Sequence, residues 1–166
     1  MSVELFPPTR FSESYCHYFV PRLDLENLMI PPAWQTENRK PRVLLIDDDR
    51  DITDVVEFAM ANEGYDVRVA HDGNEGIAMA ATSHPDLIVC DMMMPKRSGF
   101  MVLERLSQTL THPIRIIMCT GNDGERHREY ASLMGVSEYI TKPFAMDALL
   151  QTTKRLLDEP LPDLMR

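Results

Sequence analysis

Two apolar runs in this chain of 166 residues end in acids: Val43-Leu44-Leu45-Ile46 leads into Asp47-Asp48-Asp49, and Leu87-Ile88-Val89-Cys90 leads into Asp91. Each run reads as a buried strand, so the carboxylates reach one edge of a sheet together. Carboxylates gathered in this way repel one another and gain from a hard divalent cation. Two later strands bring Thr120 and the pair Lys142-Pro143 to the same edge. An acid pair, a lone acid, a hydroxyl and a lysine are the parts of a site that accepts a phosphoryl group. They supply a carboxylate nucleophile, oxygen ligands for a metal, and a hydrogen-bond donor and a cation for the phosphoryl oxygens. Singly, Thr120 is an ordinary turn residue, Lys142 a surface lysine and an acid after a strand a helix cap; their meeting at one edge makes the site.

The elements that must position them follow from periodicity. Ile52, Val55, Val56, Ala59 and Met60 recur at helical spacing, and Gly64 ends that helix. Residues 66–70 alternate as a strand, a helix follows over 74–82, and 86–90 is the strand before Asp91. Phe100, Leu103, Leu106 and Leu110 mark a third helix, 114–119 a fourth strand, 125–134 a helix and 138–141 a short fifth strand. A last helix over 145–157 gathers Leu149, Thr153, Leu156 and Leu157 on one face. Five strand–helix repeats with short loops predict an α/β fold, a five-stranded parallel sheet with helices on both faces. In such open sheets the functional crevice lies beyond the carboxyl ends of the strands, where all these residues fall.

Composition sets the outer bounds. Hydrophobic residues make up 44% of the chain, which calls for a packed core. A net charge of −9 argues against a nucleic-acid surface, though not against a local basic patch. No apolar stretch approaches the ~20 residues of a membrane span, and the first residues do not read as a secretion signal; a soluble, cytoplasmic protein is expected. Cys16, Cys90 and Cys119 have no metal or redox spacing, and the last two read as small core residues, placed so that oxidation could disturb the site. Residues 1–41 hold half of the 12 prolines together with Phe6, Phe11, Tyr15, Tyr18, Phe19 and Trp34. They read as an arm, with one short helix over 23–30, that packs on its own domain or on a partner, or as a loosely ordered extension. The domain is expected over 42–158, with a tail at 159–166.

The segments VLLIDDD (43–49), VCDMMMPKRSG (89–99), MCTG (118–121) and YITKPF (139–144) resemble the receiver domain of bacterial two-component response regulators. The spacings of 43 positions from Asp48 to Asp91 and 22 from Thr120 to Lys142 are similar to the family's. The resemblance implies a flavodoxin-like (βα)5 fold and a phosphorylation-dependent signalling switch rather than an enzyme in the ordinary sense. It makes Asp91 the phosphoacceptor, supplied by a sensor histidine kinase or a histidine phosphotransfer protein. It implies Mg2+ held directly by Asp48, Asp91 and the Met93 backbone carbonyl and by Asp47 mainly through water. Lys142 would pair with one phosphate oxygen and Thr120 would hydrogen-bond another. Thr120 and Tyr139 would form the switch, and Lys142–Pro143 would be a cis peptide. Asp49 is left as a solvated neighbour or a helix cap, Met92 and Met94 as core, and Gly99 as a turn or tight-packing residue. Met93 and Asn122 stand where the family tunes attack of water on the acyl phosphate; apolar Met93 implies slow loss of phosphate. No output domain follows the receiver segment, so a stand-alone type is expected that acts on a downstream protein, with the arm as contact or homodimer element. Two alternatives stay open: a receiver-like interaction module that is not phosphorylated, and an aspartate-nucleophile phosphatase built on Asp49-Arg50-Asp51-Ile52-Thr53.

Overall fold

The computed structural model describes residues 39–110, 114–121 and 125–159. Most of the arm, with the helix expected over 23–30 and Cys16, lies outside the described residues, as do Asn122 and residues 160–166. Ten elements alternate: β1 (Arg42–Ile46), α1 (Arg50–Asn62), β2 (Asp66–Ala70), α2 (Gly73–Ser83), β3 (Leu87–Asp91), α3 (Gly99–Thr109), β4 (Arg115–Thr120), α4 (Glu125–Leu133), β5 (Glu138–Thr141) and α5 (Met146–Asp158). The strands are all parallel, in the order β2-β1-β3-β4-β5.

Side chains alternate between the faces of a strand, and the two halves of the core divide accordingly. Leu44, Ile46, Ile88, Cys90, Ile116 and Met118 pack beneath Ala80 of α2 and Val102, Leu103 and Leu106 of α3. Val43, Leu45, Leu87, Val89, Ile117 and Cys119 pack beneath Val56 and Met60 of α1 and Leu149 and Leu156 of α5. Covering both faces explains why the central strands are continuous apolar runs. From β1 the chain passes to one side to form β2 and to the other to form β3, so the order reverses between β1 and β3. That is where an open α/β sheet forms its crevice.

One expectation on α1 needs correction. Its buried stripe is Thr53, Val56 and Met60, whereas Val55 is 59% exposed. Residues 53, 56 and 60 follow the helical spacing of three and four, and Val55 lies one step off it. With Ile52, Phe144 and Met146, Val55 lines an open depression beside Lys142. Gly64, at φ +94°, adopts the left-handed turn that closes α1. No helix among the described residues is long and apolar enough to cross a membrane.

Candidate phosphoacceptor site

The crevice between β1 and β3 holds the acids. Asp47 follows β1 directly and is 3% exposed, because its N–H donates to the Ala70 carbonyl and keeps it within the sheet. Its Oδ1 accepts from the Asp49 N–H at 3.0 Å. Asp48 is exposed at the rim, and Asp91 ends β3 at 5% exposure. Ligand oxygens of Asp47, Asp48 and Asp91 all lie within 4.8 Å of one another. Asp91 Oδ2 accepts the Met93 N–H at 2.9 Å, which fixes the carboxylate's orientation.

Lys142 closes the site from β5. Its Nζ donates to Asp47 Oδ2 at 2.5 Å and pairs with Asp91 Oδ1 at 2.9 Å. Burial works against the ammonium, but the two carboxylates outweigh it and hold the Lys142 pKa above its ordinary value. The Lys142 N–H donates to the Thr120 carbonyl at 2.6 Å, and the Lys142–Pro143 peptide is cis, as the sequence led us to expect. Thr120, fully buried, ends β4 beside Thr141. The structure thus brings Asp47, Asp48, Asp91, Thr120 and Lys142 to one edge.

The other sequence candidates fall around it. Met93 is 65% exposed on the rim, whereas Met92 and Met94 are core. Gly99 is a close-approach position: a Cβ there would stand 2.4 Å from the Asp91 carbonyl oxygen and 3.0 Å from Met92 Cα. Tyr139 lies off the acid cluster, half-buried, with its hydroxyl 3.8 Å from Met92 Sδ. Asp49 caps α1, accepting from the N–H groups of Asp51 and Ile52. Thr53 is buried and its hydroxyl donates to the Arg50 carbonyl. The residues that would start and end a phosphatase motif are therefore engaged with α1's own backbone.

Two contacts were missed by sequence reasoning. Arg39 makes a bidentate pair with Asp86 at 2.6 Å, ahead of the predicted domain boundary, and Arg128 stacks over the Tyr139 ring at 5.3 Å. Neither has a local signal, since each joins residues distant in sequence.

The response regulator receiver domain family matches residues 43–154. The chain belongs to that family. Solved structures agree with it. The receiver domain of a Francisella response regulator is 30% identical, with a TM-score of 0.67 over 71% of this chain and 97% of its own. The Vibrio cholerae chemotaxis protein CheY4 is 28% identical, with a TM-score of 0.67 over 71% and 99%. The receiver domain of HemR from Leptospira biflexa is 25% identical, with a TM-score of 0.70 over 75% and 99%. Membership places the chain among phosphorylation-dependent signalling switches that exchange signals with kinases or phosphotransfer proteins and with downstream targets. Receivers typically bind Mg2+ at an acidic pocket, and the Asp47, Asp48 and Asp91 cluster is a pocket of that kind.

Proposed function

We propose that Asp91 accepts a phosphoryl group from the histidine of a sensor kinase or phosphotransfer protein and that the resulting acyl phosphate changes the surface this receiver offers its target. The observation that carries the reading is the oriented, buried Asp91 carboxylate, within reach of two further acids and 2.9 Å from Lys142. An Asp91 oxygen forms the new bond to phosphorus as the bond from phosphorus to the imidazole nitrogen breaks, and the electron pair leaves on the imidazole. The Met93 N–H holds the other oxygen during attack. Lys142, paired with Asp47 and Asp91, would follow the incoming phosphoryl oxygens, and Thr120 would donate to one of them.

The donor set suits Mg2+, because it is all hard oxygen and part of it faces water. Asp48, Asp91 and the Met93 carbonyl would hold the ion directly and Asp47 through water. When bound, the ion supplies neutralisation of the negative charge shared by nucleophile and phosphoryl group. Exposed Val55 and half-buried Ile52, Phe144 and Met146 give a protein donor apolar surface beside Lys142. The arm of residues 1–41 would contact a target or a second copy of the chain.

Intact mass after incubation with acetyl phosphate and Mg2+ tests the reading. Wild type gains one phosphoryl group, and neither Asp91→Asn nor wild type in EDTA gains any. Folded wild type without an adduct would leave an interaction module that works unphosphorylated. Exposed, apolar Met93 offers nothing to orient an attacking water, so the adduct is expected to decay slowly and Met93→Asn to hasten its loss. Fast decay that Met93→Asn leaves unchanged would count against this.

A further inference from the structure

Helix α4 reaches the rest of the domain through rings. His127 stacks on Phe100 at 6.3 Å, Tyr130 meets Phe100 edge-on at 5.0 Å, and Arg128 lies over Tyr139 at 5.3 Å. Of the side chains described on this helix only Ala131 is buried. Arg128 has no carboxylate partner among the described residues. A guanidinium within about 6 Å of a ring centroid is held by the ring's negative face.

Tyr139 ties this contact to the acceptor. It pairs in register with Met118, and Thr141 pairs with Thr120. Residues two apart share a face of the sheet, so Tyr139 lies on the face that carries Met118 and Thr120. Its hydroxyl touches Met92, the residue after Asp91. Tyr139 therefore packs between the acceptor's neighbour and α4. The contact is seen with Asp91 as a carboxylate paired to Lys142.

We propose that Arg128 is a positioning residue for Tyr139: its guanidinium holds the ring in the arrangement that belongs to the carboxylate form of Asp91, so that losing this contact biases the domain toward the phosphorylated arrangement. The proposal rests on the reading of Tyr139 as the switch residue. It makes α4 and β5 respond together, since whatever moves the tyrosine releases the helix. A ligand or a modification shifts a two-state element only through contacts that differ between the states, and this contact is one of them. A cation–π contact at an exposed site contributes enough to move such an equilibrium about two- to fivefold.

The test is fluorine NMR of the full chain labelled with 3-fluorotyrosine, with the Tyr139 signal identified by its loss in Tyr139→Phe. Spectra are taken before and after acetyl phosphate with Mg2+. In wild type the signal moves on phosphorylation. In Arg128→Ala it is expected to start displaced toward the phosphorylated position, with the equilibrium shifted about two- to fivefold. Arg128→Lys, which keeps a cation, restores the wild-type position, and Arg128→Gln, which keeps most of the stem without charge, does not. A wild-type signal that stays put on phosphorylation would end the switch reading of Tyr139 and the proposal with it. A wild-type signal that moves while Arg128→Ala starts at the wild-type position would overturn the Arg128 role alone. Rescue by Gln as full as that by Lys would also overturn it, because packing of the stem would then suffice.

Discussion

The acceptor end of the sheet and helix α4 are held in opposite ways. At the acceptor end Asp47, Asp91 and Lys142 have fixed partners: the Asp49 N–H for Asp47, the Met93 N–H for Asp91, and both carboxylates for Lys142. Asp47 and Asp91 follow or end strands buried on both faces. Helix α4 has one buried side chain among those described and leans on rings. Chemistry at phosphorus needs atoms held in place. A response needs an element with few buried contacts, which can take a second position at low cost. On the function proposed above, the molecule keeps these two requirements in different places, and Met92 and Tyr139 lie in contact between them.

Three changes would break or sharpen that contrast. The largest effect is expected from Gly99→Ala. The new methyl meets backbone at Asp91 and Met92, which cannot swing aside as a side chain could. Overpacking of this kind costs about 1–3 kcal/mol or more, read from the urea midpoint, and phosphorylation should fall because the end of β3 must shift. A tolerated alanine would mean that the acceptor end is softer than its contacts suggest. Asp49→Ala comes next, with a loss of about 1 kcal/mol of stability from the missing cap and the phosphoryl adduct retained. A stable variant that loses the adduct would move Asp49 into the chemistry.

The smallest effect concerns the far edge of the sheet. Burial would raise the Asp86 pKa, but Arg39 and the Arg42 N–H outweigh it and hold the carboxyl below its ordinary range. A depressed folded-state value means that the pair stabilises at neutral pH and that its contribution is lost as pH falls through that value. Partial exposure limits the contribution to roughly 1 kcal/mol or less. Asp86→Asn should therefore lower stability slightly at neutral pH and converge with wild type in acid. A gap that persists in acid would trace instead to the hydrogen bonds that an amide cannot reproduce.

Much of this organisation was legible in the sequence. The strands declared themselves because apolar runs buried on both faces have no polar interruption, and the acids and Thr120 at their ends stood out against them. Position 49 was read as a solvated neighbour or a cap, and the structure shows the cap. Helix α1 was read with Val55 inside, because the two neighbours Val55 and Val56 fit an apolar stripe equally well by spacing. Only packing selects Thr53, Val56 and Met60. Lys142 was assigned to phosphate, while its pairing with Asp47 depended on where two distant strands end. Arg39–Asp86 and Arg128–Tyr139 were invisible for the same reason: a cation on the surface gives no hint of which distant partner the fold will bring to it.

Cys90 and Cys119 sit on adjacent strands at the acceptor edge, one on each face of the sheet. Both are sealed, and burial pushes the Cys119 thiol up to about 12 and the Cys90 thiol higher still. Neither offers a thiolate while the seam between β3 and β4 stays closed. In a Cys16→Ser chain, alkylation of these two sulfurs becomes a clock for the opening of the acceptor edge, one that runs without any phosphoryl group and reports how often the seam parts.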